Sequence, residues 1–106
     1  MDTLSAEAMR ERIKKREAAI LGDLDANEEL VVEFHAPTGT TIQIRDVGYY
    51  AKTDDVLLLA GTDTASGEEC QIIAATQMIQ LVFRIRVVKA EDQPLERKQL
   101  GFIRTA

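Results

Sequence analysis

Residues 78–89 read Met-Ile-Gln-Leu-Val-Phe-Arg-Ile-Arg-Val-Val-Lys, and one apolar side chain follows another at every second position. The alternating apolar residues are Ile79, Leu81, Phe83, Ile85 and Val87. A two-residue period of this length is typical of a β-strand with one face in the core and the other in solvent. The stretch therefore predicts a long strand and places the chain among the β proteins.

Four shorter strand patterns precede this stretch. They cover residues 30–35, 42–50, 56–60 and 70–75. In the second pattern, continued alternation would bury Asp46, so we expect a β-bulge near that residue. The bulge would turn Val47 and Tyr49 inward and bend the strand. The run at 56–60 is apolar throughout, which is typical of a central strand covered on both faces.

The N-terminal region predicts a single helix over about residues 4–21. Ser5 is the expected N-cap, and Gly22 is the expected residue just beyond the C-terminus. A narrow apolar stripe follows one face of this helix, although it skips the turn that contains Glu17. The stripe provides three candidate docking residues, Met9, Ile13 and Ile20.

The length of 106 residues predicts one domain with its own core. We expect an N-terminal helix at 1–22, a small β-barrel at 30–89 and a C-terminal extension at 90–106. The extension would add a short sixth strand or dock on the helix. Cys70 is the only cysteine, which favours a reducing, cytoplasmic location. No apolar run is long enough to cross a bilayer and no signal-peptide pattern is present, so we expect neither membrane insertion nor export.

The charge is distributed unevenly along the chain, whose formal net charge is -5. Residues 22–69 carry eleven acidic and two basic side chains, whereas both ends are net basic. An acidic middle repels phosphate backbones, so general nucleic-acid binding is disfavoured. The opposite charges of the middle and the ends would instead attract a second copy of the chain.

The sequence lacks the motifs of common catalytic sites. It has no phosphate-binding loop, no dinucleotide fingerprint, no serine-hydrolase elbow and no zinc-protease motif. The only histidine, His35, is predicted to face solvent beside Glu33, away from any pocket. The acidic turns lack the ligand spacing of an EF-hand. We therefore expect no enzymatic activity, no metal site and no cofactor.

A helix followed by five short, bent antiparallel strands, with a one-turn link between the last two, resembles the SH3-like small barrels. Within that group it is most similar to the Sm-like (Hfq-like) proteins. Residues 32–34, Gly39 and residues 54–58 follow the order of the first Sm-like motif. The second Sm-like motif places a cation in the last turn, where it helps to hold an RNA base, but residues 74–77 contain none. The resemblance implies a mainly β fold with an N-terminal helix and a five-stranded barrel.

The resemblance also implies an interface. In Sm-like rings the fourth strand of one subunit pairs with the fifth strand of the next, which would use the long strand at 78–89. The candidate interface residues on it are Met78, Gln80, Val82, Arg84, Arg86 and Val88. An equal alternative is a monomer whose C-terminal residues cover this edge.

The sequence leaves three functional hypotheses. The first is an interaction or assembly module that self-associates, or binds another protein, through strand edges. The second is an Sm-like RNA-binding protein, for which only the basic ends of the chain argue. The third is a regulatory barrel that responds to a cation or a small ligand through its acidic loops.

Overall fold

The computed structural model describes residues 5–50, 55–89, 91 and 99–105, and the prediction of a mainly β fold with one N-terminal helix is confirmed. The elements are helix α1 (Ala6–Asp23) and strands β1 (Glu28–His35), β2 (Thr41–Tyr50), β3 (Val56–Asp63), β4 (Glu69–Ala75), β5 (Leu81–Val87) and β6 (Gly101–Thr105). Of the predicted C-terminal extension at 90–106, residues 90, 92–98 and 106 lie outside the described residues. Among these residues, no helix combines the length and the apolar character that a membrane span requires.

Helix α1 begins where the sequence predicts and ends later. The Ser5 hydroxyl accepts a hydrogen bond from the Ala8 backbone N–H at 3.0 Å, so Ser5 is the N-cap. The prediction that Gly22 ends the helix is wrong, because the helix continues to Asp23 and Leu24 is the C-cap. Gly22 is not in the left-handed conformation that a C′ glycine adopts.

The five longer strands form one sheet in the order β4-β3-β2-β1-β5, with every neighbouring pair antiparallel. β6 lies parallel to the second half of β2, from Asp46 to Tyr50. β1 pairs with only the first three residues of β2, ending at Glu33 opposite Gln43. One edge of β2 is therefore shared between two partners.

The predicted bulge is present in β2, between Ile44 and Asp46. It turns Val47 and Tyr49 into the core, where they are 0% and 6% exposed. Gly61 of β3 lies directly opposite Ile44. The two backbones approach so closely there that a Cβ atom on Gly61 would lie 2.0 Å from the Gln43 carbonyl oxygen.

The sheet is bent but not closed, which corrects the prediction of a barrel. Closure would require β4 and β5 to pair, yet they lie at opposite ends of the strand order. Residues 76–80 join them along the chain, beginning with the 3-10 turn Thr76–Met78. β6 separates β1 from the second half of β2, because it occupies the part of β2 along which β1 would otherwise continue.

The core lies between the concave face of the sheet and α1. Its buried residues are Ala6, Ile13, Val32, Phe34, Ile42, Ile44, Val47, Tyr49, Leu57 and Leu59. α1 thus packs on the sheet of its own chain.

Glu17 occupies the helical turn where the apolar stripe of the sequence is interrupted, and it is only 6% exposed. Its Oε2 atom accepts a hydrogen bond from the Leu100 backbone N–H at 2.7 Å, so the C-terminal segment both contacts the helix and forms the sixth strand.

Candidate interaction surface

Among the described residues three strands pair on one side only, and two of them, β4 and β5, lie at the ends of the main strand order. β4 pairs with β3 alone and β5 with β1 alone, while the short β6 pairs with β2 alone. An unpaired strand edge presents a row of backbone N–H and C=O groups that can pair with another chain. Natural proteins usually shield such edges, so the edges of β4 and β5 are candidates for pairing with another chain.

Both edge strands expose apolar side chains. The large exposed hydrophobic residues on or beside them are Ile73, Met78, Val82, Ile85 and Val87. Ile73 on β4 is 65% exposed, and Ile85 on β5 is 50% exposed. Ile85 belongs to the face of β5 that also carries the core-packing residues Leu81 and Phe83, so the apolar face extends beyond the core of this chain.

The β5 strand differs in extent from the predicted strand at 78–89. Met78 lies in the 3-10 turn and Gln80 precedes the first paired residue, Leu81. The alternating pattern starts earlier because Ile79 already has an extended backbone, at φ -89° and ψ 127°, although it is not yet paired. The Val88 backbone N–H bonds to the Asn27 carbonyl at 2.7 Å just after the strand.

Two of the candidate interface residues take part in ion pairs with the neighbouring strand. Arg84 donates to Glu33 Oε1 at 3.0 Å, and Arg86 pairs with Glu29. Burial raises the pKa of Glu33, but hydrogen bonds and charges from Arg84 and His35 outweigh that effect and hold the pKa below its ordinary value. The two pairs fix the outer face of β5 against β1, while both arginines stay more than half exposed.

A groove of about 220 Å³ lies between α1 and β5. Its apolar walls are Met9 and Ile13 on the helix and Ile79, Leu81 and Phe83 on the opposite side. Arg12 and Arg16 line the same groove, one helical turn apart. Neither arginine forms an ion pair among the described residues. The groove therefore continues the apolar face of β5 and is bordered by two cations.

The candidate docking residues of α1 face its own sheet to different degrees. Ile13 is buried in the core, whereas Met9 and Ile20 are half-buried. Part of the basic run is also used within the chain: the Arg10 guanidinium lies 5.0 Å from the centre of the Tyr49 ring, and the Lys14 ammonium 5.8 Å from that of Phe102. The basic side chains of α1 therefore do not form one continuous stripe for an external polyanion.

The only histidine and the only cysteine of the chain, His35 and Cys70, lie on different strands, β1 and β4. His35 lies 3.4 Å from Glu33 Oε1 on the exposed face. No group of three or more potential metal ligands comes together in the part of the chain that the structure describes. Cys70 is a half-buried free thiol on the inner face of β4.

The sequence analysis named no interface residue on β4, although the resemblance implies a contact by the fourth strand. The pair Ile72-Ile73 leaves the inward position ambiguous, and only the pairing of Ile72 with Leu59 and of Ile73 with Leu58 shows which side chain faces out. Glu17 was missed as well, because a charged residue in an apolar stripe looks like a gap.

No family model, no characterised protein and no solved structure matches this chain.

Proposed function

We propose that this protein is a non-catalytic assembly module that self-associates by pairing β4 of one copy with β5 of the next. The observation that carries the proposal is that β4 and β5, at the two ends of the main strand order, both expose apolar side chains beside an edge with no partner among the described residues. Within the described part of a single copy, neither of these two edges is paired. Pairing them between copies would satisfy the backbone groups and cover the apolar side chains at the same time.

Side-chain matching selects one direction and one register for the pairing. When β4 and β5 run antiparallel with Ile73 opposite Val82, the outer faces bring two exposed apolar residues together. The same register places the acidic Glu69 opposite the basic Arg86. A parallel arrangement cannot make both matches, because the order of the apolar and charged residues is reversed in the two strands.

The inner faces agree with this register. Ile72 then lies opposite Phe83, Ala74 opposite Leu81, and Cys70 opposite Ile85. All six belong to the face of their strand that contacts or extends the core. The incoming β4 would therefore lay its apolar side chains beside the groove between α1 and β5, and it would cover the half of Ile85 that is exposed in the single chain.

The proposed contact joins two different surfaces, so it is heterologous. A dimer built in this way still has one free β4 and one free β5. Such contacts continue until a ring closes or a filament grows. We therefore expect particles larger than a dimer, which is also what the resemblance to Sm-like rings implies.

A disulfide trap tests the contact and its register. The chain has a single cysteine, Cys70, and the variant Ile85→Cys places a second thiol directly opposite it in the next copy. Directly opposed residues on antiparallel strands have the Cα separation that a disulfide requires. We expect mild oxidation of Ile85→Cys to give a ladder of linked chains on a non-reducing gel.

Val87→Cys is the matched control. It lies on the same face, two residues further along β5, where the diagonal distance to Cys70 is too long for a disulfide. Linkage through position 87 in place of position 85 would reject the register while keeping the edge pairing. Absence of linkage in both variants, together with a monomeric mass by light scattering, would overturn the proposed function.

A further inference from the structure

We infer that the space between β1 and β2 is a binding site for a primary alkylammonium group. The two strands stop pairing at Glu33 and Gln43, after which β2 pairs with β6. A cavity of about 310 Å³ lies where they separate. Cavities of this size are at the lower end of those that hold small ligands in proteins.

The cavity combines an apolar wall with a polar mouth. Its apolar lining residues are Leu30, Val31, Val32, Ile44 and Leu100. Gln43, Arg45 and Gln99 also line it, and all three are exposed, so the cavity opens to solvent on their side. This combination fits a ligand whose short apolar stem lies inside the protein.

Glu17 supplies the charge at the inner end of the cavity. It is 6% exposed and lines the cavity from α1. Oε2 accepts the Leu100 N–H, whereas Oε1 accepts no hydrogen bond from any described residue. No cationic side chain in the described part of the chain forms an ion pair with Glu17. A buried carboxylate without a cation is costly, and a bound cation would relieve that cost.

The geometry of Glu17 selects ammonium over guanidinium. A guanidinium binds best to both oxygens of a carboxylate at once. One oxygen of Glu17 is already used by the Leu100 N–H, so only the other is available. An ammonium group is a compact charge that needs one such acceptor.

Arg45, at the mouth of the cavity, is neutralised by carboxylates and does not repel a cationic ligand. Arg45 donates to both carboxylate oxygens of Glu69, at 2.8 and 2.7 Å, and to Asp46 at 3.0 Å. Two carboxylates thus face one guanidinium. Arg45 therefore presents no unbalanced positive charge to an incoming ammonium group.

The experiment is a titration of the isotopically labelled protein with n-butylammonium chloride, followed by amide NMR, with sodium chloride at equal ionic strength as the reference. The Leu100 amide is the reporter, because it is bonded to the carboxylate that would bind the ligand. We expect saturable shifts at Leu100 and Ile44. The inference is overturned if neither amide shifts at about 50 mM, where a millimolar site is nearly filled.

Two matched comparisons test the role of the charge. Glu17→Gln keeps the size of the side chain and an oxygen for Leu100, and we expect it to weaken n-butylammonium binding by roughly tenfold or more. Glu7→Gln, on the exposed side of the same helix, should leave the binding unchanged. n-Butanol has the same stem without the charge, and it should bind at least roughly tenfold more weakly to the unaltered protein. Equal binding of the alcohol and the ammonium, or of the two Glu variants, would overturn the assignment.

The ammonium group could belong to a free amine or to a lysine side chain. Nα-acetyl-lysine-N-methylamide presents the same head and stem attached to a peptide backbone. If it binds at least as tightly as n-butylammonium, the cavity accepts a lysine of another protein. If only n-butylammonium binds, the ligand is a small free amine. Binding of the lysine derivative and binding of n-butylammonium alone both support the ammonium site.

Discussion

Gly61 shows how a single position controls the bend of the sheet. It lies opposite Ile44, immediately before the bulge in β2. A Cβ atom there would meet the backbone of Gln43 and Ile44 on the neighbouring strand, and backbone cannot rotate away as a side chain can. The absence of a side chain is therefore required by the close approach of the two strands.

We expect Gly61→Ala to lower the free energy of unfolding by about 2–3 kcal/mol, because the β2–β3 pair must move apart at the bulge. Chemical denaturation followed by circular dichroism measures the change. Gly22→Ala is the matched control: its Cβ would meet nothing within 4 Å, and Gly22 has helical geometry. That control should be neutral or stabilising by up to about 1 kcal/mol. A Gly61→Ala variant as stable as the unaltered chain would contradict the steric argument.

Some residue-level features could be predicted from the sequence and others could not. The bulge could be predicted, because the alternation would otherwise bury Asp46. The need for glycine at position 61 could not, since it depends on which residue of β3 lies opposite the bulge. Glu17 was also beyond prediction: its partner, the Leu100 N–H, lies 83 residues away in the chain.

At the scale of the elements, the pairing of β1 with β5 is reinforced on its outer face by two ion pairs. Glu33 and Arg84 form one of them, with Arg84 Nε at 3.2 Å and Nη2 at 3.0 Å from the same carboxylate oxygen. Burial raises the pKa of Glu33, but Arg84 and His35 together lower it by more than burial raises it. The folded pKa of Glu33 therefore lies below its unfolded value. Glu33 then stabilises the fold above its unfolded pKa, and this contribution is lost as the pH falls through the folded pKa.

We therefore expect Glu33→Gln to cost about 0.2–1 kcal/mol of unfolding free energy at pH 6, which is the range for exposed pairs. The difference from the unaltered protein should shrink as the pH falls below about 4.3, the ordinary pKa of a glutamate. Urea denaturation at a series of pH values measures it. Glu68→Gln, in the exposed turn before β4, is the control: Glu68 forms no ion pair among the described residues, and this variant should cost less unfolding free energy at pH 6 than Glu33→Gln. A difference that grows toward low pH would contradict the assigned direction.

The elements themselves were largely predictable, but their pairings were less so. The period of two residues indicated β5, and the capping and composition of residues 4–21 indicated α1. The position of β6 beside β2 was left open, because five residues that follow a long connection carry no signal of their partner. The start of β5 was predicted too early, because the backbone at Ile79 is already extended before the first paired residue, Leu81.

At the scale of the whole molecule, the proposed assembly depends on both free edges. We expect Val82→Lys to reduce the particle mass toward that of one chain, 11.8 kDa, because a charge would be buried against Ile73 of the next copy. Lysine is chosen because Val82 lies opposite Glu33 within the chain, so the variant gains a favourable neighbour and should fold. Light scattering coupled to size-exclusion chromatography measures the mass.

Ile103→Lys is the control for this variant. Ile103 lies on β6 and is 43% exposed, close to the 37% of Val82, but it is remote from the β4 and β5 edges in the strand order. It should retain the mass of the unaltered protein. If Val82→Lys keeps that mass too, β5 does not form the contact between copies.

The sequence by itself determined the fold class, the helix, the bulge and most of the strands, because each depends on a periodicity or a local steric conflict within a few residues. The tertiary structure alone decided that the sheet stays open, that β6 separates β1 from β2, and that Glu17 faces a cavity. These features depend on contacts between residues far apart in the chain. Local patterns carry no information about such contacts, since the same alternation suits a paired strand and an open edge equally well.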